Sequence, residues 1–102
     1  MLERFTREMF QTRVGERLRL RLPSGTTLDL ELSGVRPLVD HAGDRLAEGH
    51  REPFALTFTG PEGIGLPQAT YHFTHDDLGE FEMFIVPIER VGNRLTFEAI
   101  FT

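Results

Sequence analysis

The side chains best suited to chemistry in this chain are four histidines, and they fall into two groups. Asp40, His41, Asp44 and His50 share one polar stretch; His72, His75, Asp76 and Asp77 share another. Imidazole and carboxylate groups bind divalent metals and move protons near neutral pH. His41, His50, His72 and His75 are thus the candidate metal ligands, and a metal-dependent hydrolase is the activity they would serve. The spacing opposes convergence, because His72 and His75 stand three apart in what reads as extended chain and so point to opposite faces. The plainer reading is a solvated loop and a turn in which Asp76 or Asp77 accepts backbone hydrogen bonds. That reading is preferred, with no cofactor and no catalytic residue assigned.

Other reactive chemistry is scarce. The chain has no cysteine, which excludes thiolate nucleophiles, thiolate metal sites and disulfides. Ser24 falls in a turn, and Ser33 before Gly34 lacks the strand–turn–helix setting of a nucleophile elbow. The glycine-rich residues 60–65 include an acid, Glu62, and lead into a strand, so they read as a turn and not as a phosphate loop. Glu80 and Glu82 share a strand face and read as solvated charges, not as an acid–base pair. Residues 1–51 hold nine Arg against eight Asp and Glu, whereas residues 52–102 hold two against eight, within a net charge of −5. An acidic chain without a strong basic patch is not expected to bind nucleic acid. No apolar run approaches the roughly 20 residues of a membrane helix. Residues 1–10 lack the apolar region of a signal peptide, so synthesis in the cytoplasm and no membrane partner are expected.

The elements that must position these groups are strands. Phe54, Leu56 and Phe58 alternate before Gly60-Pro61; Tyr71 and Phe73 alternate before His75-Asp76-Asp77; Leu95, Phe97, Ala99 and Phe101 alternate at the end. Period two means strands with one buried face. Residues 80–88 are the most apolar strand. Phe81, Met83 and Ile85 lie on one face and Phe84, Val86 and Ile88 on the other, so both faces are expected to be covered. Residues 16–33 read as a hairpin whose paired numbers sum to 50, with Leu22 facing Leu28, Leu20 facing Leu30, Arg21 meeting Asp29 and Arg19 meeting Glu31. Residues 35–38 extend its second strand. Residues 39–52 are the longest stretch without a strand pattern and the candidate functional loop. Leu2, Phe5, Met9 and Phe10 have helical spacing, giving a short helix over 2–12. The last strand, if it lies at a sheet edge, would offer backbone groups to a partner. The expected fold is all-β over a single domain, residues 1–102: a small six-stranded antiparallel barrel or compact sandwich with one short N-terminal helix.

The ordered set Phe54-x-Leu56-x-Phe58-x-Gly60-Pro61, Leu66-Pro67-Gln68-x-x-Tyr71, Leu78-Gly79, Phe84-Ile85-Val86-Pro87 and Phe97-Glu98-Ala99-Ile100-Phe101 resembles an uncharacterised family of small bacterial proteins. Members more often end in Tyr-Glu-Ala-Val-Phe-Asn, from which Phe97 and Thr102 depart. The family carries no established activity, and its genes are associated with phage tail-collar and tail-fibre-like genes. The resemblance therefore implies a structural or assembly role, with a phage-like particle or fibre as its setting. Within the set, Gln68 is the polar residue hardest to place. Its amide either bonds a loop backbone from inside the fold or, with Tyr71, contacts a ligand.

These readings converge on a non-enzymatic structural or assembly protein that acts through protein–protein contact, with a homo-oligomer left open. The alternative is a small-molecule-binding β-barrel with Gln68, Tyr71 and the long loop of residues 39–52 at its mouth. The metal-dependent hydrolase ranks last.

Overall fold

A computed structural model of the chain describes residues 5–38 and 53–101. They form one short helix, α1 (Arg7–Gln11), and six strands: β1 (Arg17–Arg21), β2 (Thr27–Pro37), β3 (Phe54–Thr59), β4 (Ala69–His75), β5 (Gly79–Val91) and β6 (Arg94–Phe101). The strands close into a barrel in the order β1-β2-β3-β6-β5-β4, every neighbouring pair antiparallel. The β3–β4 connection passes over one end of the barrel and sets β3 beside β6, a Greek-key arrangement. Of the two architectures expected, the structure is the barrel. Its closure places β6 between β3 and β5, so the last strand is not an edge and offers no free backbone to a partner.

The period-two pattern fills the interior. Leu18, Leu20, Leu30, Leu32, Phe54, Leu56, Phe58, Phe73, Ile85 and Phe97 are fully buried. One end is plugged by Phe5 and Phe10, which meet edge-to-face at 5.4 Å and reach Phe81 and Phe101. Such aromatic pairs add about 0.5–1.5 kcal/mol each beyond their burial. The helix is shorter than the spacing predicts, with residues 1–4 outside the described residues. The other end is crossed by residues 60–68, where the Gly60 and Gly63 N–H groups donate to the Leu95 and Asn93 carbonyls. Gly60 is required by close approach, since a Cβ there would lie 3.2 Å from the Phe97 ring.

The hairpin register differs from the expected one. Arg17 faces Glu31, Leu18 faces Leu30, Arg19 faces Asp29, Leu20 faces Leu28 and Arg21 faces Thr27. The sums are 48, not 50. The turn is the cause: the Leu22 N–H donates to Thr26 and the Gly25 N–H donates back to Leu22. Gly25 has φ +95°, so Pro23-Ser24-Gly25 forms a three-residue loop in place of five. A slip of two keeps leucines inward and charges outward, so the pattern alone does not separate the registers. The slip leaves Arg21 opposite a threonine.

β2 does run on through residues 35–37, bent by a bulge between Leu32 and Gly34. The expectation for β5 is corrected: Phe81, Met83 and Ile85 are buried, but Phe84 and Ile88 are exposed and Val86 is only partly covered. The barrel is a single layer, so nothing among the described residues packs on that outer face. The stretch 39–52 lies outside the described residues; its flanks are joined by the Leu38 N–H donating to Pro53.

Candidate functional site

The two described histidines stand apart in chemistry as well as in direction. His72 projects from the outer face of β4, and its Nε2 lies 2.8 Å from Glu80 Oε1. His75 ends β4, and its Nε2 lies 2.8 Å from Glu16 Oε1. His75 Nδ1 accepts hydrogen bonds from the Asp77 and Leu78 N–H groups at 3.0 and 3.3 Å. That arrangement puts the ring proton on Nε2, toward Glu16. The turn is therefore organised by the imidazole of His75, and not by Asp76 or Asp77. Asp77 faces Arg13 at 3.7 Å instead. His72 and His75 are each closed on a separate glutamate, and no group of three metal-ligating side chains occurs among the described residues. His41 and His50 lie outside them.

The larger opening lies where barrel closure runs out. β1 and β4 are joined by three residue pairs, ending at Arg21 and His72. Beyond them Leu22 turns away to pair with Thr26, and Ala69, Thr70 and Tyr71 keep ladder partners in β5 only. The strands separate around a cleft of about 640 Å³, within the size range of ligand sites. Leu22, Pro23, Leu66, Pro67, Ala69 and Tyr71 give it an apolar lining, and Arg21, His72 and Glu82 form its charged rim.

Tyr71 is positioned by its own strand entry. Its hydroxyl donates to the Pro67 carbonyl at 2.7 Å, which folds the Leu66-Pro67 segment against the ring. Burial pushes its hydroxyl pKa above the ordinary 10.0, so it is a neutral donor and not an acid at physiological pH. Gln68, the other candidate ligand residue, is exposed and lies outside the cleft lining. The structure thus places Tyr71 at an opening and separates Gln68 from it. Arg21, Leu22 and Pro23 escaped the sequence reading, which gave Arg21 an acidic partner. The glycine closing Pro23-Ser24-Gly25 was the signal for the shorter loop that frees them.

A second surface is the outer face of β5 and β6. Phe84 and Ile100 are each 51% exposed, on a strand pair whose inner face is already complete; Ile88, also exposed, is the extra residue of a bulge between Pro87 and Glu89. Phe84 lies two residues before Val86 and Ile100 two residues after Glu98, its ladder partner, which sets both at the same end of this face.

A family model, Domain of unknown function (DUF6916), matches residues 5–101. No curated protein and no solved structure matches the chain.

Proposed function

We propose that this chain, which belongs to the DUF6916 family, is a non-enzymatic assembly protein that works through protein–protein contact. The observation that carries the reading is the apolar pair of Phe84 and Ile100 on the outside of β5 and β6, with half-buried Val86 beside it. These side chains are surplus to the core, since the interior is filled from the opposite face of the same strands. Large apolar groups gathered on an outer face mark interaction surfaces more often than singly scattered ones. The occupant is the surface of a second protein chain. The setting we propose is a phage-tail- or fibre-like assembly, supported by the gene associations of the resembling proteins.

The test is co-purification of the chain with the product of its neighbouring gene, followed by size-exclusion chromatography with light scattering. A complex that forms with the wild type and is lost with Phe84→Glu, at unchanged melting temperature, supports the reading. A wild-type chain that stays monomeric with that product, or a complex indifferent to Phe84→Glu, overturns it.

A further inference from the structure

We infer that the cleft at the β1–β4 seam is a strand-addition site for an extended peptide segment carrying an acidic side chain. The inference rests on the protein-contact reading only in taking polypeptide as the ligand; its site is the β1-facing edge of β4, and Phe84 stands one strand further on, beside Thr70.

Three observations carry it. The first is the backbone. In an antiparallel strand the N–H and C=O of one residue point to the same side, and the side alternates along the chain. Ala69, Thr70 and Tyr71 bond β5 on one side and lie beyond the β1 ladder on the other. At least one of the three therefore turns both backbone groups into the cleft. In this register Tyr71 is level with Leu22 and Thr70 with Pro23. Leu22 is committed to Thr26, and Pro23 has no N–H to give. The barrel cannot complete this ladder from its own hairpin, whereas an added strand completes it.

The second observation is the shape and lining. The cleft is lined along this start of β4 by Leu22, Pro23, Leu66, Pro67 and Tyr71. Alternate side chains of an extended peptide would face this apolar lining and the solvent, the pattern used in strand addition. The third is charge. Arg17 and Arg19 face Glu31 and Asp29, but the hairpin register sets Arg21 between Thr27 and His72. His72 is closed on Glu80, and Arg21 has no acidic partner among the described residues. An exposed guanidinium at the end of an open edge complements a carboxylate on an incoming strand.

The experiment uses the ¹⁵N-labelled full chain, titrated with the blocked peptide acetyl-Thr-Val-Asp-Val-Thr-amide and followed by amide shifts. The expected result is a saturable shift centred on residues 21–25 and 66–72, with smaller shifts at the β5 ladder partners 82–85. Two N-methylated forms of the peptide, blocked at odd or at even amides, keep its side chains but remove alternate donors. The form blocked on the edge-facing side should bind about tenfold more weakly, or not at all, and the other should bind normally. Arg21→Gln should weaken the Asp peptide severalfold and leave a Thr-Val-Ser-Val-Thr peptide unchanged. The inference is overturned by an absence of shifts at the seam up to about 5 mM peptide, a range that still detects the weakest specific contacts. It is also overturned if both N-methylated forms bind normally, or if the shifts centre on Ile100 in β6 and leave residues 21–25 unmoved. An unmoved seam leaves the Phe84→Glu test as it stands, and a complex indifferent to Phe84→Glu leaves the N-methyl comparison as it stands, so the two readings fail separately.

Discussion

The β3–β6 and β1–β4 junctions belong to the same barrel but are built to different standards. β3 and β6 pair along their whole common length, from Phe54 with Phe101 to Thr59 with Thr96. Their inner faces hold Phe54 and Phe101 stacked at 4.7 Å. Their outer face is crossed by Arg36 of β2 and Glu98 of β6, 2.7 Å apart, on the side where fully buried Ala55 stands. β1 and β4 share three pairs, and among the described residues no ion pair spans them at Arg21. The contrast follows from the turns. Pro23-Ser24-Gly25 withdraws β1 just as Pro67 brings in β4, so neither strand can follow the other further. Stability in a fold is not uniform, and binding surfaces are drawn from its looser parts. The cleft lies on the looser side.

The contrast is broken most directly by removing a core side chain on each side. Phe97→Ala should cost about 3–5 kcal/mol, a large share of a typical domain's stability. The Phe97 ring packs against the backbone at Gly60, which has no side chain to relax into the void. Leu20→Ala, level with Phe73 across the seam, should fall near the lower end of the 2–5 kcal/mol range for Leu→Ala, because the hairpin tip can settle inward. Urea unfolding of both variants measures the difference. A Leu20→Ala loss equal to or greater than that of Phe97→Ala would mean the seam is as rigid as the opposite wall.

How far this was legible in the sequence depended on which physical constraint was periodic. The strands were legible because burial on one face repeats every second residue, and six apolar alternations survive into six strands. Parity of the hairpin was legible for the same reason, but its register was not: a shift of two leaves every leucine inside, and only the loop geometry at Gly25 decides it. The outer face of β5 misled because Phe84, Val86 and Ile88 are as apolar as an inner face. Composition does not say whether a second layer exists to cover them. The cleft was half legible. Tyr71 marked it, but Arg21 and Leu22 enter only once closure is known, and closure is a property of six strands together. His75 shows the opposite case, a residue suited to chemistry whose two ring nitrogens are taken by a turn and a glutamate.

Tyr71 offers a finer probe of the seam, since its bond to Pro67 holds the free start of β4. Tyr71→Phe keeps the buried ring and removes one hydrogen bond, so it should cost about 0.5–1.5 kcal/mol. The pH dependence reads the burial of the hydroxyl itself. Burial raises the folded-state pKa above 10.0, so on raising pH the unfolded chain ionises first. The contribution of Tyr71 is complete below pH 10 and is lost as pH climbs from there through the folded-state value. Stability measured from pH 8 to 11 should fall more steeply in the wild type than in Tyr71→Phe. Parallel curves would show that the hydroxyl is as free as in the unfolded chain.

The smallest effects test whether charge contributes to the difference between the junctions. Arg36 and Glu98 span three strands on the tight side, with the Glu98 side chain only 21% exposed. A double-mutant cycle with Arg36→Ala and Glu98→Ala should give a coupling at the upper part of the 0–1 kcal/mol range for surface pairs. About 1 M salt should diminish it. Arg21→Ala on the seam removes a guanidinium without a carboxylate partner among the described residues, and so should change stability by less than about 0.5 kcal/mol. A larger loss from Arg21→Ala would mean that its side chain already braces the seam. Its freedom to receive an incoming carboxylate would then be gone, while the open backbone edge of β4 would stand unaltered.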